Sequence, residues 1–215
     1  TDEKYKNDPD YWIVYKGSSF NLWEPNTGDY YGYGNAKKIT KILHEKRLRS
    51  SKQKRSAFYG MKNDFLQNIE TLPCKKFRIA FRNVSNRTDT RTFLTCLIPK
   101  NTFLTNAAPY LILENEDPIH LLYLLGIFSS IPFDWYTRLW TELNLNFFIV
   151  ENFPLPELDK NSKVHNEIID VVLELICQFK EFDEIAKIFS KKRKPLNENT
   201  KEKLLSKLDA LVAFA

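Results

Sequence analysis

KFRIAFR at residues 76–82 alternates with period two. Phe77, Ile79 and Phe81 fall on one side, and Lys76, Arg78, Ala80 and Arg82 on the other. The pattern predicts a strand with one buried face and one basic face. TFLTCLI at 92–98 is nearly continuous in apolar and β-branched residues, the pattern of a strand covered on both sides, and Pro99 ends it. NVSNRTDTR at 83–91 is polar throughout except Val84 and suits a hairpin connection between the two. An antiparallel pair is therefore the predicted seed of the fold.

Upstream, YWIVY at 11–15 reads as another strand. Residues 17–34 hold four of the six glycines together with Pro25, Asn26 and Asp29, which predicts a meander of short strands carrying Tyr30, Tyr31 and Tyr33. Residues 36–48 fit a helix with a narrow apolar stripe of Ile39, Ile42 and Leu43. RSSKQKR at 49–55 has no apolar residue and reads as a surface loop. Downstream, 110–113 reads as a short strand. Asp117 and Pro118 open a helix as N-cap and first helical residue, running to about 128. A second amphipathic helix fits 133–140. FFIV at 147–150 reads as a strand, closed by FPLP at 153–156.

From Val164 to Phe189 apolar residues recur at spacings of three, four and one, which predicts one amphipathic helix of roughly seven turns. KKRK at 191–194 and Pro195 end it, the cations matching the negative end of its dipole. A last helix carries Leu204, Leu205, Leu208, Leu211 and Val212, and the two stripes predict an antiparallel pair. The expected class is α+β: a twisted, mostly antiparallel sheet with packed helices over residues 1–156, followed by a C-terminal helical pair over 157–215.

The chain has 215 residues, 43% of them apolar, enough for a substantial core. Its longest apolar run, Leu121 to Phe128, is far short of the ~20 residues that span a bilayer. No secretory signal opens it. Cys74, Cys96 and Cys177 are too few and scattered for a disulfide framework or zinc site and read as reduced thiols of a cytoplasmic protein. The opening at Thr1, with no initiator Met, and the end at Ala215 read as a piece of a longer chain.

Charge is segregated. Between Ala36 and Lys100 stand 17 Lys and Arg against four acids, a net +13, while the rest of the chain carries a net −8. A polyanionic partner accounts for such an imbalance, as does a solvated basic helix and loop. Catalytic chemistry is not visible. No phosphate-cradling glycine loop is present, Gly32-Tyr33-Gly34 being turn chemistry. His44, His120 and His165 lack metal-ligand spacing. Ser18 and Ser19 sit in no nucleophile elbow, and Glu114, Glu116 and Asp117 precede a helix, where its dipole favours acids.

The remaining constellation is one of nucleic-acid recognition. Arg78 and Arg82 are expected about 13 Å apart on one strand face. With Asn83, Asn86 and Arg87 of the loop they offer groups that pair with guanine and adenine edges. Lys37, Lys38, Arg47, Arg49, Lys52, Lys54 and Arg55 are the expected phosphate contacts. The structural alternative is that an arginine pairs internally with Glu70 or Asp89, or snorkels over an aromatic ring.

These residues also carry a resemblance. WIVYKGSSF at 12–20 with WEPNTGDYY at 23–31 resembles the opening of the C-terminal target recognition domain of large bacterial DNA adenine methyltransferases, the type IIG restriction–modification and phage-defence enzymes. RIAFRN at 78–83, NRTDTRT at 86–92 leading into LIP at 97–99, LLGIFSS at 124–130, NFF at 146–148 with NFPLP at 152–156, and LDALV at 208–212 resemble successive pieces of that domain in the family's order. The resemblance spans nearly the whole chain. It implies sequence-specific binding of double-stranded DNA, with methyl transfer from S-adenosylmethionine to adenine performed by a catalytic domain of the same chain preceding Thr1. The family's Asn/Asp-Pro-Pro-Tyr/Phe tetrapeptide and cofactor loop are not among these residues, so no catalytic residue and no cofactor is expected here. The rival expectation is a protein-interaction scaffold that docks a partner on the long C-terminal helix.

Overall fold

The computed structural model describes residues 3–86, 88–113, 117–141 and 144–215. The predicted seed is present: β3 (Arg78–Phe81) pairs antiparallel with β4 (Thr95–Ile98), Ile79 opposite Leu97 and Ala80 opposite Cys96. Ahead of it, β1 (Tyr11–Tyr15) runs antiparallel to β2 (Gly32–Asn35) and parallel to the two-residue β5 (Phe103–Leu104). The expected basic face of β3 is absent, because all four of its residues are buried. Ile79 and Phe81 enter the main core, while Ala80 packs with Tyr15, Phe20, Cys96, Ile98 and Ala108 in a second cluster. Period two reports which side chains share a side; it does not report what covers that side.

The expected meander shrinks to β2 and one isolated bridge, Asn21 with Glu24. Side chains hold the rest of 17–31: Ser18 Oγ donates to Asp29 Oδ2, Thr27 Oγ1 to the Ser18 carbonyl, and buried Tyr15 Oη to the Pro25 carbonyl. Gly28 sits at φ +81°, a left-handed position suited to glycine. The expected strand at 110–113 is reduced to one bridge between Tyr110 and Ala80.

Two of the helices start where the sequence predicts, at residues 36 and 118. Asn35 caps α1 (Ala36–Ser50) by accepting from Lys38 N, and Asp117 caps α3 (Pro118–Ser129), following the short α2 (Asn63–Gln67), by accepting from Ile119 N. Ser130 caps α4 (Ile131–Arg138), which begins two residues before the predicted helix. The predicted strand at 147–150 is instead a single helical turn, α5 (Phe147–Val150). A four-residue apolar run has no period to separate the two states, and one turn suffices to bury Val150 while Phe148 stays exposed.

The predicted seven-turn helix is broken. α6 (Lys163–Ile176) ends at Cys177, a 3-10 turn covers Lys180–Phe182, and α7 (Asp183–Ile188) follows. The apolar spacing persists across the break because Phe182 and Ile185 enter the same core as α6. α8 (Glu198–Phe214) packs on α6 and α3. A Cβ on Gly126 of α3 would stand 2.6 Å from Ile168 Cγ2 and 3.0 Å from Val172 Cγ2, so glycine permits the close approach of α3 to α6. One cluster runs from Trp23 through β3, β4 and α3 to Leu208. Residues 157–215 therefore complete the core of the preceding part, and the stripe Ile168, Val172, Leu175 and Ile176 is enclosed and not offered to a partner. No helix among the described residues is long and apolar enough to cross a membrane.

Candidate nucleic-acid interface

α1 divides its charges by face. Ile39, Thr40, Leu43 and Arg47 turn inward, while Lys37, Lys38, Lys41, Lys46 and Arg49 are exposed. Ile42, expected in the apolar stripe, lies on the outer face, half exposed. The turns after the helix add exposed Lys52, Lys54, Arg55 and Lys62. Among the described residues no carboxylate pairs with any of these nine cations. Six of them are expected phosphate contacts; Lys41, Lys46 and Lys62 join them because the structure exposes them as well.

Arg47, expected among the phosphate contacts, is 2% exposed and turned away from solvent. It donates through Nη2 to the carbonyls of Leu66 and Asn68, at 2.7 and 2.8 Å, and through Nη1 to Thr71 Oγ1 at 2.9 Å. Burial lowers its pKa. Its role is to clasp α2 and the following 3-10 turn against α1, closing the chain excursion that carries Lys52, Lys54 and Arg55. His44 Nε2 reaches the same Leu66 carbonyl at 3.1 Å.

Arg78, expected as a base reader, is likewise buried. It donates to the carbonyls of Pro73 and Thr102 and stacks over the Tyr110 ring, 5.0 Å from its centroid. Burial pushes its pKa down to about 10, so it stays charged at neutral pH. A long side chain on a doubly covered strand bends to the nearest carbonyls, so its place on the strand face does not bring it to solvent.

Arg82 is half-buried and donates Nη2 to the Phe20 carbonyl at 2.6 Å. Its guanidinium ties the hairpin to the 17–31 turns, with some surface left. Asn83 is also half-buried, its backbone held by Ala107 and Leu145. Asn86 shapes a tight turn: its Oδ1 accepts from Thr88 N at 3.1 Å and its own N–H donates to Asp89 Oδ2 at 2.9 Å. Arg87 lies outside the described residues.

Two residues not singled out by the sequence hold this loop. Asp134 Oδ1 accepts from Phe93 N at 2.7 Å, and Asp134 Oδ2 pairs with Arg138 Nε at 2.9 Å. Arg138 Nη2 then donates to the carbonyls of Asp89 and Thr90, both at 2.8 Å. The available signal was their i, i+4 spacing on a predicted helix. The expected constellation is thus split. The exposed cations belong to α1 and the 51–62 turns, beside the start of β3, and the 83–91 loop leaves the other end of that strand. Four residues of strand separate the two ends by roughly 13 Å.

Among the described residues no cluster of three or more His, Cys, Asp or Glu is arranged to hold a metal ion. In comparisons with known proteins, the chain matches no protein-family model and no curated protein sequence.

Proposed function

We propose that the chain is a double-stranded DNA recognition module of an adenine-specific DNA methyltransferase or restriction–modification enzyme, acting in the cytoplasm. It positions the target for an S-adenosylmethionine-dependent catalytic domain of the same chain, outside these residues. The observation that carries the reading is the outer face of α1 with the 51–62 turns: nine exposed cations without an acid partner. Such a surface tracks phosphates and sets orientation without reading sequence.

Base reading belongs to the 83–91 loop in this account. Its polar side chains stand on a support fixed by Asp134 and Arg138, and a rigid support is what discrimination between bases requires. Asn86 uses its carbonyl oxygen for the turn and keeps its amide N–H groups for an acceptor on a base edge. Arg47 and Arg78 have no part in contact with DNA. The test is anisotropy of a labelled duplex at low ionic strength: saturable binding is expected, and its absence at tens of micromolar protein overturns the reading.

A further inference from the structure

Beneath α1 lies a cavity of about 340 Å³, walled by Leu43, Lys46, Arg47 and Ser50 of α1, by Arg78 of β3 and by Phe103 of β5. Its wall is mainly apolar and includes Arg47 and Arg78, whose guanidinium groups are buried and contact no carboxylate. Buried charge is costly unless it is paired and hydrogen-bonded, and here only hydrogen bonds and the Tyr110 ring offset it, with no acid beside either group.

A guanidinium has five N–H donors. Arg47 places three on protein acceptors and Arg78 two, and Nε of each is buried without a partner. Internal carbonyls fix both side chains in place but supply no negative charge. Lys46, exposed on α1, adds a third cation at the rim. An apolar chamber with a few fixed cationic donors is the usual construction of a small-molecule site for an anion.

We propose that this cavity binds a small organic oxyanion, a phosphate or carboxylate on an apolar body, its charged end held between Arg47 and Arg78. The inference is independent of the DNA reading, and no nucleic acid enters its test. Calorimetric titrations of the chain with adenosine monophosphate, benzoate and uncharged adenosine separate the sources. One-to-one binding of either oxyanion with Kd below about 1 mM, and none of adenosine, is expected; which oxyanion binds identifies the headgroup.

Arg78→Met is expected to weaken binding at least about tenfold. Should it fail to fold, Ser50→Trp, which fills the chamber from α1, is expected to do the same. A variant with Lys52→Ala and Lys54→Ala, altered only on the outer surface, is expected to bind unchanged. The proposal is overturned if neither oxyanion binds at millimolar concentration or if adenosine binds equally. Binding that survives Ser50→Trp, or that disappears in the double lysine variant, also overturns it.

Discussion

The Arg47 guanidinium donates to the Leu66 carbonyl across 2.7 Å in a buried bond between the last turn of α1 and α2. One cation of the basic segment is thereby removed from the surface and made to shape it. Its neighbours Lys46 and Arg49 stay on the outside because the helical period places them on other faces of α1.

Arg47→Met removes three hydrogen bonds of a buried side chain, those to the Leu66 and Asn68 carbonyls and the Thr71 hydroxyl. A loss of about 2–4 kcal/mol of folding stability is expected. Exposed Arg49→Ala should change it by less than about 0.5 kcal/mol. Urea denaturation of both variants checks this; equal effects would mean that Arg47 is not the clasp.

Gly126→Ala brings a methyl group against Ile168 and Val172, at the contact that joins α3 to α6. Overpacking should cost about 1–3 kcal/mol. Because one core spans Trp23 to Leu208, the loss should appear as a shift of a single unfolding transition, followed by circular dichroism and tryptophan fluorescence together. Two separate transitions, with only one displaced, would contradict a shared core.

What the sequence disclosed depended on whether a signal was local. Asp117 and Pro118, the apolar spacing within 36–48, and the alternation of 76–82 each act within a few residues, and the α3 start, the α1 start and β3 stand where they predict. FFIV at 147–150 misled because four apolar residues have no period, and the break after Ile176 left no mark because Phe182 kept the spacing of the helix before it. At the candidate site, charge was legible but direction was not. Arg49 and Arg47 are the same residue type two positions apart and differ by burial, which for Arg47 depends on carbonyls about 20 residues away, and the support of the loop by Asp134 spans 41 residues.

Acid should weaken the fold through Asp117 and Asp29. Burial pushes the Asp117 carboxyl up, but Lys160 and the Ile119 N–H pull it further down, to below its ordinary value. Asp29 is lowered by hydrogen bonds from Lys16 and Ser18. A lowered folded-state pKa contributes stability above the unfolded value, ~3.9, that is lost as pH falls through the folded value. Denaturation midpoints should therefore drop below about pH 4. Asp117→Asn keeps a capping oxygen and should flatten that drop; an unchanged acid profile would count against the Asp117 contribution.

Lys52→Ala with Lys54→Ala should weaken binding to every duplex by a similar factor and reduce the salt slope by about 2, one for each ammonium group taken away from a phosphate. Competition across a panel of sequences checks this. A change in sequence preference with an unchanged slope would assign these lysines to base edges instead.

The most direct measurement is duplex affinity against salt concentration. If the outer face of α1 and the turns beyond it neutralise ~6 phosphates, log Kobs should fall against log salt with a slope near −5. A slope near zero, or no binding at the lowest salt, would contradict the assignment of this surface to DNA.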